Sequence, residues 1–236
     1  PMVTFYDIDV DANATHYYYQ IETINTCQQL KYTSNIGKTI WLHVESEGAG
    51  VMNTITFTQY KDWAGNVQKY EIYRAIGGVW ESSPITQVAA FGDTTVYVDN
   101  IINVVDGDGS FCYKVVATEN TFPHVGGLPE AVSSSNESCV THSPLVYVPN
   151  AFAPFSTSNY EFKPVLTFTD PSSYLLQIYN KWGQKIFETQ DLNTGWLGSV
   201  DNSGQLCQSD SYVYMIRFTS ADGEEFSKSG VVTLLK

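Results

Sequence analysis

Between Tyr174 and Phe187, and again from Tyr212 to Phe218, aromatic and aliphatic residues recur at alternate positions. Side chains on a strand point to opposite faces with a period of two, so these runs predict strands with one buried face. Turn signals separate them: Asn180-Lys181-Trp182-Gly183, Asn193-Thr194-Gly195 and Ala221-Asp222-Gly223. The same pattern extends upstream, with strands expected at Asn53–Tyr60, Lys69–Ala75, Ile85–Ala89, Thr94–Asp99, Ser110–Thr118 and Ser133–Thr141. Between these lie Ala64-Gly65-Asn66, Gly77-Gly78, Gly92-Asp93, Asp106-Gly107-Asp108-Gly109 and Gly126-Gly127. Short strands at such spacing point to a two-sheet sandwich. With 16 tyrosines and frequent β-branched residues, the chain reads as all-β throughout. The run Val231 to Leu235 is itself a good strand, so the C-terminal residues are expected to pair into a sheet.

A formal net charge of −13 argues against a nucleic-acid partner, because phosphate contacts need Lys and Arg and the chain has 12. The same acidity disfavours passive adsorption to an anionic membrane and keeps an exported protein soluble. No apolar run is long enough to span a bilayer, and no signal peptide is visible. Nucleophile elbow, zinc-protease, phosphate-loop and dinucleotide motifs are all missing, so the chain reads as non-enzymatic and without cofactor. His16, His43, His124 and His142 lack ligand spacing and are assigned to surface or loop positions. Asp106-Gly107-Asp108-Gly109 lacks the distal ligands of a calcium loop and reads as a hairpin turn. No metal site is expected.

Residues 1–46 repeat the pattern of residues 94–148. Phe5-Tyr6-Asp7 aligns with Tyr97-Val98-Asp99, Tyr19-Gln20-Ile21 with Tyr113-Lys114-Val115, and Ser34-Asn35 with Ser135-Asn136. Self-similarity at domain length suggests tandem modules. Three divisions are therefore expected: 1–46 as the C-terminal half of a preceding repeat, 47–145 as one complete sandwich, and 146–236 as a closing domain. The first copy lacks the strands that would precede it, which reads as the C-terminal piece of a longer protein.

The closing stretch carries ordered motifs. They are Pro149-Asn150-Ala151-Phe152, then Ile178 to Thr189 (IYNKWGQKIFET), Gly195-Trp196, Tyr212-Val213-Tyr214 and Gly230 to Leu235 (GVVTLL). This order resembles the gliding-motility-associated C-terminal domain, the type B sorting domain of proteins exported by the type IX secretion system of Bacteroidota. The chain departs from that pattern at Ala153 to Asn159, which lacks the usual acidic glycine-rich loop, and at Leu197 in the Gly-Trp-x-Gly block. Upstream, IYRA, the Val-Tyr-Val-Asp block and a Tyr in the penultimate strand resemble a fibronectin type III module. The expected architecture is thus tandem immunoglobulin-like or fibronectin III-like β-sandwiches ending in a β-sandwich sorting domain.

The resemblance implies a cell-surface adhesin exported through periplasm and outer membrane. It implies three partners: the outer-membrane type IX translocon barrel, its associated barrel, and a barrel of the PorP/SprF type. The residues expected to contact a partner are Pro149, Asn150, Phe152, Trp182, Gly183, Trp196 and Tyr212. Ile178, Phe187, Tyr212 and Tyr214 alternate in strands and suit a core equally well, and Gly183 suits a positive-φ turn. The terminal strand could be either an edge that a partner reads or simply the last strand of the fold. Export permits oxidation, and Cys112 and Cys139 fall in facing strands on either side of PHVGGLP, so a disulfide is expected between them. Cys27 and Cys207 are assigned as free thiols. An alternative reading is a carbohydrate-binding sandwich, in which two or more of Trp41, Trp63, Trp80, Trp182 and Trp196 stack on sugar rings from one surface.

Overall fold

Alternation in the sequence becomes alternation in burial. The computed structural model describes residues 4–24, 31–47, 51–89, 92–104, 107–120, 130–220 and 223–235. The chain divides into two compact units, 1–102 with 111–140, and 103–110 with 141–236. Cys27, His124, Asp106, the PHVGGLP loop from Pro123 to Pro129 and the first two residues of the Ala221-Asp222-Gly223 turn lie outside the described residues.

The first unit opens with four short strands, β1 (Tyr18–Tyr19), β2 (Glu22–Ile24), β3 (Lys31–Thr33) and β4 (Gly37–Lys38). β1 pairs with β4 and β2 with β3, both antiparallel. Beyond them come β5 (Leu42–Ser46), β6 (Met52–Thr58), β7 (Val67–Ile76), β8 (Val79–Trp80), β9 (Thr86–Val88), β10 (Thr94–Asn100), β11 (Ser110–Glu119), β12 (Val132–Ser134) and β13 (Ser138–Thr141). One sheet has the order β10-β6-β5, and the other has β12-β11-β7-β8 with β13 added to β11 and β9 to β7. Three strands facing a larger sheet is the arrangement of immunoglobulin-like and fibronectin III-like sandwiches. Every second residue of β6 and β11, and of β7 from Tyr70 to Arg74, is buried, and Ile55, Phe57, Tyr70, Ile72, Phe111, Tyr113 and Val115 fill the space between the sheets.

A polar network crosses that core. Arg74 donates to Asp99 at 2.9 Å and to Glu81 at 2.5 and 3.0 Å. Tyr113 donates to the same Asp99 oxygen at 2.8 Å and accepts from Asn53 at 2.8 Å. Burial opposes the Arg74 charge, but its two carboxylate partners outweigh that and raise its pKa. Burial also raises the Tyr113 hydroxyl pKa, which keeps it a neutral donor. Cys112 and Cys139 form a disulfide that ties β11 to β13.

The structure bears on four of the sequence expectations. β5 lies on the near side of the boundary expected at 46/47 yet pairs with β6 along its whole length, because Leu42 and Val44 are needed to fill the core. The strand expected over Ser133–Thr141 is broken into β12 and β13. At the break, Asn136 accepts the Leu42 amide and donates to the Leu42 carbonyl, so a side chain replaces main-chain pairing. The hairpin turn expected at Asp106–Gly109 falls partly outside the described residues, and the strands on either side of it, β10 and β11, belong to different sheets. His142, expected at a surface or loop position, lies in the loop between β13 and β14 with its side chain buried, its ring 5.0 Å from Phe168.

The second unit contains β14 (Leu145–Tyr147), β15 (Ala151–Phe152), β16 (Val165–Thr167), β17 (Leu175–Tyr179), β18 (Lys185–Thr189), β19 (Ser211–Thr219) and β20 (Glu225–Leu234). β14 pairs with β16, and the rest form a sheet of order β15-β20-β19-β17-β18 in which only β15 and β20 are parallel. One face of this sheet carries Leu176, Ile178, Phe187, Tyr212, Tyr214, Ile216, Val232 and Leu234 into a core shared with Phe152, Phe162 and Trp196.

Replacing Asp99 with Ala should destabilise the first unit by about 3–5 kcal/mol, measured by denaturant unfolding, because Arg74 is left buried with half its pairing gone. Replacing both Cys112 and Cys139 with Ala should cost about 2–4 kcal/mol by the same measurement under oxidising conditions.

Candidate partner-recognition surface

The seven residues expected to touch a partner part into two groups. Phe152 and Trp196 have no exposed surface and Tyr212 only 6%, so all three are core residues, not contact residues. The cause is local. Trp196 exchanges main-chain hydrogen bonds with Phe162 at 2.8 and 3.0 Å, which pulls its segment against the sheet. Its indole then lies 5.3 Å from Phe152 and 4.8 Å from Tyr212, and its Nε1 donates to the Ser199 carbonyl at 2.8 Å. The glycines of the Gly-Trp-x-Gly block allow this approach. A Cβ on Gly195 would meet Glu161 at 2.5 Å, and Gly198, at φ +82°, sits where a Cβ would meet Leu234 and Pro154 at 3.0 Å. Leu197 at the departure from the family pattern points outward, and its amide donates to Asn202.

The entry block works as a clamp. Asn150 accepts the Thr233 amide at 3.0 Å and Phe152 accepts the Leu235 amide at 2.9 Å. Along its other side β20 pairs with β19 from Ser211↔Thr233 to Thr219↔Glu225. Of the two roles left open for the terminal strand, both find support among the described residues: Thr233 to Leu235 have main-chain partners on both sides, whereas Glu225 to Val232 pair with β19 alone. Pro149 is half-buried and Asn150 exposed at this joint.

Trp182 is the exception among the motif aromatics, with 82% of its surface exposed. Exposure here does not come from a loose loop. Asn180 Oδ1 accepts the amides of Trp182 and Gln184, both at 3.0 Å. The Gly183 amide donates to the Asn180 carbonyl at 2.9 Å, and the Asn180 amide to the Gln184 carbonyl at 3.0 Å. Gly183 takes φ +77°, which only glycine adopts without strain. Lys181 is pinned to Asp210 at 3.0 Å and lies 5.8 Å from the Trp182 ring centroid. Lys181 and the Ser211 amide hold the Asp210 carboxyl below its ordinary pKa.

The tip continues into the outward face of the sheet. Register places Tyr179, Val213 and Val231 side by side on β17, β19 and β20, at the end of the sheet from which the Trp182 hairpin projects. Val213 and Val231 are 45% and 55% exposed. Beside this row, Lys185 and Gln177 both donate to Glu188, and Tyr179 donates to Gln177. An exposed indole, a basic neighbour and an apolar row form a surface suited to a protein partner. Sequence reasoning found Trp182 from its turn. It missed Val213 and Val231, whose outward orientation depends on a cross-strand register that one sequence does not reveal.

Cys207 is half-buried and unbridged, and burial raises its thiol pKa above the ordinary value. Among the described residues no cluster of His, Cys, Asp and Glu could hold a metal ion, and no helix is long and apolar enough to cross a membrane. Each of the other tryptophans is covered within its own unit. Trp196 is buried, and Trp41 and Trp63 are each half-buried and engaged by a neighbouring ring, His43 at 5.8 Å and Tyr60 at 4.1 Å. Lys114 covers Trp80 at 4.2 Å.

Residues 146–234 match the family model of the CHU_C Type IX secretion signal domain. The match supports sorting by the type IX secretion system and export to the cell surface or extracellular space. No curated protein matches the chain. Among solved structures, it is similar to the FN1–FN3 domains of chicken CNTN1 at 12% identity, covering 84% of this chain and 65% of that one with a TM-score of 0.34. It is also similar to a tetra-tandem repeat in the extending region of a large adhesion protein, at 11% identity, 87% and 52% coverage and TM-score 0.39. A Ca2+-stabilized adhesin of an Antarctic bacterium gives 12% identity, 95% and 58% coverage and TM-score 0.25. The chain thus spans between about half and two thirds of the length of these solved chains.

Replacing Trp196 with Ala should destabilise the second unit by about 3–5 kcal/mol in denaturant unfolding. Replacing Trp182 with Ala should change its stability by no more than about 0.5 kcal/mol in the same measurement.

Proposed function

We propose that the closing domain is a folded export address, read at its Trp182 hairpin and the adjoining sheet face by outer-membrane machinery of the type IX system. The match of residues 146–234 to a type IX secretion signal domain supports this reading. The observation that carries it is the contrast among the motif aromatics: Phe152, Trp196 and Tyr212 build the core, while Trp182 is held rigidly in solvent. Leaving a large indole uncovered gives up burial worth roughly 2 kcal/mol or more, a cost that contact with a partner would recover.

The partners in this proposal are the outer-membrane translocon barrel, its associated barrel and a PorP/SprF-type barrel. The cargo is a non-enzymatic, gliding-type surface adhesin, with the sandwich over β5–β13 acting as a spacer. Polar and charged groups around the tip would set the orientation of binding, and the indole would supply most of the contact area.

Residues 146–236 fused to a periplasmic reporter, in a host with an active type IX system, should bring the reporter to the cell surface. Deleting the PorP/SprF-type barrel should abolish display. The Trp182→Ala fusion should accumulate to the normal level in the periplasm yet reach the surface about tenfold less. A wild-type fusion retained in the periplasm would sink the proposal.

A further inference from the structure

Within residues 4–24 and 31–38, several hydrogen bonds match those of the β10–β13 half of the complete sandwich. Tyr113 donates to Asp99 at 2.8 Å, and Tyr19 donates to Asp7 at 3.0 Å. Ser135 accepts the Val115 amide on its hydroxyl at 2.9 Å and donates its own amide to the Val115 carbonyl at 2.8 Å. Ser34 does the same with Ile21, at 2.9 and 2.8 Å. Both hydroxyls then donate to the carbonyl of the following Asn, each at 2.6 Å. The registers coincide as well: Glu22↔Thr33 and Ile24↔Lys31 stand where Val116↔Ser134 and Thr118↔Val132 stand. Tyr18 and Lys38 occupy the places of the bonded Cys112 and Cys139.

The two copies differ in what faces them. Tyr113 and Val115 are fully buried, whereas Tyr19 is 38% and Ile21 68% exposed. Phe5 and Tyr6 are exposed too. β10 is held to its sheet by β6 alone, and residues 4–10, its counterpart, form no strand. In the complete sandwich, Asp99 receives Arg74 from β7 and Tyr113 receives Asn53 from β6. Among the described residues, no basic or carboxamide side chain reaches the Asp7–Tyr19 pair.

We propose that this exposed face is a docking surface for a polypeptide of the chain's own repeat type. The occupant would bring strands equivalent to β5, β6 and β7, with an Asn set against Tyr19 and an Arg against Asp7. Two observations select it over a glycan or a small apolar ligand. Among the described residues the main chain of residues 4–8 has no main-chain partner, so a strand laid beside it would satisfy its amides and carbonyls, and the side chains above it repeat a face that β6 and β7 already fill. Packing between the two sheets of the complete sandwich supplies the template, with Phe57 of β6 set 5.2 Å from Tyr70 of β7. This proposal does not depend on the export reading.

The test is residues 4–236 carrying a second copy of residues 37–92 fused ahead of Thr4, followed by hydrogen exchange and mass spectrometry. Amides in residues 4–8 and 17–21 should exchange about a hundredfold more slowly than in the unfused chain. Arg74→Leu in the added copy should remove about tenfold of that gain over residues 4–8. Unchanged exchange over both segments would overturn the proposal, whether the added strands are themselves protected or stay open beside an unchanged first repeat. Protection that survives Arg74→Leu in full would overturn the assigned chemistry.

Discussion

Burial of Trp196 is the contact on which the closing domain is built. Its indole sits against Phe152 from the entry block and Tyr212 from β19, and its main chain is bonded to Phe162. Three separated sequence motifs therefore meet at one side chain. A recurring motif in such a domain need not mark a contact with a partner. Here most of it specifies a core, and Trp182 is the motif aromatic that the core does not claim. Trp182 and Trp196 are the same amino acid in two adjacent motifs, and their surroundings give them opposite exposures.

In the first unit the organising group is polar. Asp99 accepts from both Arg74 and Tyr113, so it joins the two sheets at a point where apolar packing alone would leave register less defined. Each group is paired, which is the condition under which a buried charge can be tolerated. The Tyr–Asp part of this arrangement occurs twice in the chain, once inside a closed sandwich and once on an open face.

Period and turn chemistry made the strands legible, because both are local. Five of the six strands expected upstream of Val146 appear with ends shifted by two residues or fewer. The sixth divides at Asn136, where a side chain bonds to a strand far away in sequence. β5 was obscured for a similar reason: Trp41 to Val44 reads equally well as the end of one repeat or the start of the next, and only pairing with β6 decides it. The candidate surface was half legible. A tryptophan in an Asn-Lys-Trp-Gly turn announces its exposure, but the fate of Phe152, Trp196 and Tyr212 depends on contacts among segments that no spacing rule connects.

The parallel pairing of β15 with β20 has a mechanical meaning. These strands come from opposite ends of the domain, and the bonds from Thr233 to Asn150 and from Leu235 to Phe152 lie across the line joining those ends. Tension applied between Val148 and Leu235 would slide the two strands past each other and strain those bonds at the same time, instead of peeling them apart singly. Parallel pairing thus makes the joint between the entry block and the last strand a shear contact.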